Sequence, residues 1–379
     1  MKTNRLLIVV AALVLLLSSC NNKDERMLTV VNPDGTCCRE MSFHPDATSA
    51  LTPLSEPIEN DCMHFGTDWQ RSWSVVGDSL RHPCPITEAQ WDSLRQVFPK
   101  QNISDKILMH TTRNFQNVSE MSDSTTNVIG HLFKATASLQ KHFKWFYTEY
   151  AFRETFAITN IEQIFPTPLS RFVSADSASY WFTGKPNLGE SLTGAEQKEM
   201  LDEIEANVSH WFNACTFTYI CAVIAHHYDK VKNPPVTREQ FLAMTDSITT
   251  SHAVRNMDLY GNINQVKDIL QDSFHSDAYS SLLSDSTIYW SKKLEQQYTQ
   301  YQYLIMMAPT LDYVMPGKVI DAGDGKIEND VVHYKFSGER LIPHPYDVVI
   351  ISRVTHVWAY IVTLLVIILA ATSLLYRRK

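Results

Sequence analysis

Apolar positions recur along this chain in three rhythms: unbroken runs at both ends, alternation in the flanking quarters and helical spacing in the middle. Leu6 to Leu17 is a continuous apolar run behind Lys2 and Arg5, and Val354 to Tyr376 is 23 residues with no formal charge apart from that on His356 when protonated. A helix needs about 20 residues to cross a bilayer. The front segment, 14 residues from Leu6 to Ser19, therefore predicts a secretory signal, with its basic start and small residues at the end. The back segment predicts a transmembrane helix. Trp358, Tyr360 and Tyr376 sit near its two ends as interfacial aromatics do, and Arg377, Arg378 and Lys379 belong on the cytoplasmic side.

Alternation marks residues 27–121 and 309–353 as β-rich. In MLTVVNPDGTCCREMSF, Leu28 and Val30 alternate with polar neighbours, and Asn32, Pro33, Asp34 and Gly35 form a turn, giving strand, turn, strand. RSWSVVG and KILMHTTRNF predict further strands, with a short helix at Pro85 to Val97 between them. Thr87 is its cap, and Trp91, Leu94 and Val97 share one side. Toward the end, Val332, Tyr334 and Phe336 alternate with His333 and Lys335 after Gly323 and Gly325, which predicts a hairpin, and DVVIIS predicts a last strand.

Residues 122–308 read as an all-helical block. Val128, Leu132, Ala135, Leu139, Phe146 and Tyr150 predict a long helix from Ser124 to Asn160. A second starts at the capping box Thr193, Gly194, Ala195, Glu196 and runs to Tyr228. Its later half, HWFNACTFTYICAVIAHHY, is apolar on nearly every face. It is too short between its histidines to span a bilayer, so a buried central helix is expected. Further helices are predicted over Thr237 to Thr250, Asn262 to Phe274 and Tyr279 to Met307. The stretch ASYWFTGKP is expected as a linker.

The chain carries 33 basic and 41 acidic side chains. Without Lys2, Arg5, Arg377, Arg378 and Lys379, the formal charge of the body moves from −8 to −13. That balance argues against nucleic acid or anionic lipid as a broad partner. Beyond Cys20, six cysteines remain. Cys37, Cys38, Cys62 and Cys84 are disulfide candidates, as Cys37 with Cys62 and Cys38 with Cys84 or as the crossed alternative. On a strand Cys37 and Cys38 face opposite ways, which favours one bridge over two. Cys215 and Cys221 lie about 9 Å apart along a helix axis, beyond disulfide reach, and read as buried thiols.

Leu17, Ser18, Ser19 and Cys20 resemble the lipobox of bacterial lipoproteins, which implies a mature chain beginning at a diacylglycerol-linked Cys20. Met315, Pro316 and Gly317, a glycine-bearing loop, a Val-rich strand, a final helix and a basic tail, together with the early NPDG strand pair, resemble LppM-type bacterial lipoproteins. That resemblance implies a β-rich ectodomain between a lipidated cysteine and a last helix; the helical block has no counterpart in it.

The expected fold class is α+β: a membrane-proximal antiparallel β-sheet built from the N- and C-terminal segments, a large all-helical insertion and one C-terminal transmembrane helix. The expected divisions are a signal peptide at 1–19, a lipidated tether at 20–26, the β-rich and helical segments above, a span at 354–376 and a basic tail at 377–379. The alternative is two sequential domains. The α-helical span favours the bacterial inner membrane, with the body on the periplasmic side.

No motif assigns a catalytic residue, a metal site or a cofactor. His226, His227 and Asp229 at a helix end have ligand spacing, since His226 and Asp229 are one turn apart. Glu149 and Arg153, four apart, are expected to pair on a helix. The leading expectation is a doubly anchored, non-catalytic module that binds another envelope protein or an apolar ligand. The rival is an envelope hydrolase with a site assembled from distant residues around His226, His227 and Asp229.

Overall fold

The computed structural model describes residues 25–59, 63–129, 132–258, 263–284, 300–301, 304 and 307–377. The signal segment, Cys20, Cys62 and most of the helix expected over Tyr279 to Met307 lie outside the described residues. The chain is mixed α+β and divides into two compact units, 1–159 with 306–337 and 345–379, and 160–305 with 338–344.

The first unit is built on two main sheets. Its strands are β1 (Arg26–Val31), β2 (Cys37–Phe43), β3 (Ile58–Glu59), β4 (His64–Phe65), β5 (Gln70–Val75), β6 (His82–Pro83), β7 (Ile107–Phe115), β8 (Phe133–Phe143), β9 (Tyr147–Ile158), β10 (Thr310–Val314), β11 (Lys318–Asp321), β12 (Lys326–Glu328), β13 (Val331–Lys335) and β14 (Tyr346–Thr355). One sheet has the order β12-β13-β10-β1-β2-β7-β5-β6, the other β11-β14-β9-β8. Early and late segments thus pair, as expected. The pairing of β1 with β10 is parallel, however, with Arg26 opposite Thr310 and Val30 opposite Val314. A parallel neighbour needs a long crossover, and the segment between β9 and β10 provides one. The early turn forms as read: Gly35 N donates to Asn32 O at 3.0 Å, Thr36 N to the Asp34 carboxylate at 2.9 Å, and Gly35 takes φ +100°, which favours glycine.

Helix α1 (Glu88–Val97) has the expected Thr87 cap, made reciprocal by Gln90. Of its expected apolar side only Trp91 is buried; Val97 is 67% exposed. Helix α2 (Val118–Ile129) then packs on β8, where Thr126 Oγ1 bridges the backbone N–H and C=O of Ala135 at 2.9 and 3.0 Å.

The long helix expected from Ser124 to Asn160 is not formed. Residues 133–158 are instead the hairpin β8–β9, in full register from Phe133 opposite Ile158 to Phe143 opposite Thr148. β9 buries Tyr150, Phe152, Glu154 and Phe156 on one side, a period of two carried by residues that favour the pleated sheet. Glu149 and Arg153 consequently do not pair with each other. Glu149 holds Arg353 at 2.8 Å, and Arg153 holds Asp347, both on neighbouring β14.

β1 also presents the face opposite to the one expected. Met27, Thr29 and Val31 point inward. Thr29 does so because it accepts hydrogen bonds from the Arg39 guanidinium, which lies wholly inside the unit. Arg39 reaches Glu154 with two bonds of 2.8 Å, and Thr125 at 2.7 Å; Tyr313 donates to the same carboxylate at 2.7 Å. Burial alone would lower the Arg39 pKa, but the adjoining Glu154 charge and hydrogen bonds more than offset it and hold it above its ordinary value. Every charged atom is partnered, and removing one member of such a pair costs roughly 3–5 kcal/mol.

The second unit is helical: α3 (Ala175–Thr183), α4 (Gly194–His226), α5 (Arg238–Ile248) and α6 (Ile263–Phe274), with shorter turns between. The aromatic stretch expected as a linker is therefore mostly helix α3. α4 opens on the expected Thr193–Glu196 capping box and runs through the centre of the unit. Phe217, Cys221 and Ile224 pack there with Phe241, Val266, Leu270, Phe274 and Tyr279. Its buried polar groups meet neighbouring backbone carbonyls: Trp211 Nε1 donates to Thr167 O at 2.7 Å and Asn213 Nδ2 to Met257 O at 2.9 Å.

Candidate functional site

The sequence-derived candidates do not converge. His226 and Asp229 are exposed and His227 is half-buried. The two imidazole rings stand 4.8 Å apart, but among the described residues no group of three His, Cys, Asp or Glu side chains is placed to hold a metal ion. Among the described residues Cys37, Cys38, Cys84, Cys215 and Cys221 are free thiols, and Cys62, which both pairing schemes require, lies outside the described residues. Cys37 is buried and Cys38 half-buried because successive β2 positions face opposite ways. Burial pushes the Cys37 and Cys84 thiols up to about 11 and that of Cys215 to about 12, which leaves them protonated and unreactive at neutral pH.

One constellation went unseen in the sequence. His110 on β7 has Ser42 Oγ 2.8 Å from Nδ1 and Ser74 Oγ 3.0 Å from Nε2, with a Glu40 oxygen 3.9 Å away. Burial, with the nearby Arg81 charge, lowers the His110 pKa and keeps the ring neutral. Each ring nitrogen is occupied by a hydroxyl, and Ser42, Ser74 and His110 are all buried. The group joins strands β2, β7 and β5, with both hydroxyls bonded to the ring. The Arg39–Glu154 pair is likewise sealed and fully bonded.

A cavity in the first unit is better suited to a ligand. It encloses about 620 Å³ of non-atom space, part of it open to solvent. Met27, Met41, Met63 and Met307 line it together with Phe43, Phe133, Phe156 and Phe336, and Ile129, Pro309 and Leu311 complete the apolar wall. Glu25, Arg26 and Ser42 are its polar members. Phe336 packs edge-on to Phe133 at 6.3 Å and tilted to Phe156 at 5.5 Å. Four flexible thioethers among four rings make a wall that adapts to the shape of an apolar occupant. A cavity lined in this way can bury hydrocarbon.

The cavity lies at one end of β8 and β9, where β8 starts at Phe133 and β9 nears its end at Phe156. The opposite end of the same sheet runs into the C-terminal helix, Val357–Arg377. Strand β14 reaches Thr355, opposite Tyr147, and His356 N donates to Phe146 O at 2.8 Å before the helix begins. The helix therefore starts a few residues later than the apolar run suggests. That helix is long and apolar enough to cross a membrane, and only 6% of its most apolar window is buried. No family model, curated protein or solved structure matches the chain.

Proposed function

We propose that this chain is a bacterial envelope lipoprotein, lipidated at Cys20 and held by Val357–Arg377 in the inner membrane with its body on the periplasmic side. In this reading it is a non-catalytic module whose first unit shelters a linear acyl chain or a similar apolar molecule. The observation that carries the reading is the cavity lined by four methionines and four phenylalanines. Its lining favours an apolar ligand over the alternative of an envelope-protein partner, and among the described residues His226, His227 and Asp229 belong to no group of three ligand-type side chains that would favour the hydrolase.

The register constrains the double anchor. β1, in the eight-stranded sheet, begins at Arg26 beside the cavity, whereas the helix leaves from the far end of the four-stranded sheet, after Thr355 of β14. The ten residues of β14 cover about 33 Å at roughly 3.3 Å each. The six steps from Cys20 to Arg26 reach about 20 Å at full extension. Both anchors share one leaflet only when the strands lie well inclined to the membrane normal.

The full-length chain, purified in detergent and extracted with organic solvent, should release a non-covalent acyl-bearing lipid in near-stoichiometric amount. Met41→Trp, which fills the cavity, should release several-fold less. Lipid bound covalently at Cys20 stays with the chain, so the two sources separate on extraction. Equal release from both proteins, or none from either, would count against the cavity as a ligand site.

A further inference from the structure

The turn joining β8 to β9 is the most exposed aromatic feature of the first unit outside the C-terminal helix. Phe143 is 64% exposed and Trp145 49% exposed, and every residue from Lys141 to Trp145 is exposed. An aromatic loop in water would be a liability. This one is joined to the start of the helix by directional contacts. Trp145 Nε1 donates to Thr363 Oγ1 at 3.0 Å, and Trp145 meets the Trp358 ring edge-on at 5.3 Å. Phe146 lies against Tyr360 at 4.7 Å, and Phe143 stacks on His356 at 5.1 Å. Ala359, fully buried, sits at the centre of this collar.

Thr363 is six residues past the helix start, about 9 Å along its axis at 1.5 Å per residue. The Trp145 indole is therefore level with the second turn of the helix, and wherever that turn lies the tip must lie too. The tip also carries Lys141, His142 and Lys144 and no acidic side chain between Leu139 and Tyr147. Aromatic rings with basic neighbours are the composition favoured where acyl chains meet anionic headgroups.

We infer that the β8–β9 tip is a further membrane element, with Phe143, Trp145 and Phe146 seated in the interfacial layer beside the helix and Lys144 at the level of the phosphates. The inference rests on the reading of Val357–Arg377 as a span. Its consequence is orientational: a single helix leaves a body free to swivel, whereas a helix and a tip fixed to each other set which face of the sheet meets the lipid.

The test uses the full chain in vesicles of phosphatidylcholine and phosphatidylglycerol, with and without phosphatidylcholine brominated high on its acyl chains. Bromine quenches only tryptophans that reach the lipid. Trp145→Phe and Trp358→Phe should each remove part of the bromine-dependent loss of emission seen in the parent chain. Loss of quenching in Trp358→Phe but not in Trp145→Phe would overturn the inference and leave the span standing. No bromine-dependent quenching in the parent chain would overturn both.

Discussion

Gly194–His226 and Val357–Arg377 are both long and apolar enough to cross a bilayer, with mean hydropathies of 1.2 and 2.3 in their best windows, but 72% of the first window is buried and 6% of the second. The difference lies in what surrounds them. α4 has apolar partners on several sides and places His210, Trp211 and Asn213 opposite backbone carbonyls that accept from them. Among the described residues the C-terminal helix is contacted at its first turns by Trp145 and Phe146, and beyond Thr363 it presents Leu364, Val366, Ile368 and Leu369 outward. Hydropathy alone ranks the two within a factor of two. The buried, hydrogen-bonded polar groups of α4 mark it as a protein core, whereas the C-terminal helix leaves its apolar residues exposed.

The largest expected effect separates them at the level of packing. Phe217→Ala in α4 should lower unfolding free energy by roughly 3–5 kcal/mol, as for other buried phenylalanines, measured by denaturant titration of the full chain in detergent. Ile367→Ala, at a position 58% exposed, should change it by less than about 0.5 kcal/mol. Equal losses would mean that the C-terminal helix packs as a core element.

A smaller effect tests the polar side of α4. His210 is buried with Nε2 3.0 Å from Thr249 O. Burial lowers its pKa from the ordinary 6.5, the backbone bond partly opposes this, and Arg255 adds to the lowering. The folded chain therefore binds this proton less readily than the unfolded chain does. The stabilisation is present above about pH 6.5 and is lost as pH falls through the folded value. His110, whose pKa burial also lowers, contributes in the same direction. The thermal midpoint should drop on acidification from about pH 7 to about pH 5.5, and His210→Gln should flatten that drop without abolishing it. An unchanged slope in the variant would remove His210 from the account.

Much of the secondary structure was legible because local chemistry decides it. Thr87 with Gln90 and Thr193 with Glu196 are capping boxes by spacing alone, and the NPDG turn needs only its own side chains. The hairpin β8–β9 misled because its apolar residues fit two periods at once: Leu132, Ala135 and Leu139 suit a helix, and Tyr150, Phe152 and Phe156 suit a strand. Glu154 broke the apolar pattern of the strand face, and its partner Arg39 lies 115 residues earlier, so nothing local explained a carboxylate inside. β1 misled for the same reason, since Thr29 turns inward to serve Arg39. The cavity had no signature at all, being lined from Glu25 to Phe336. The long apolar final helix and the aromatics at its start were legible, but the β8–β9 tip that packs against them was hidden in what looked like a continuous helix.

Protease added to intact spheroplasts bears most directly on the claim that one helix crosses the membrane with both units on its outward side. Cleavage should fall throughout residues 26–353 at the same rate before and after detergent, while a fragment holding Val357 to Arg377 survives until detergent is added. If the body is cleaved only after detergent, or the tail around Arg377 is cut first, the proposed topology is wrong.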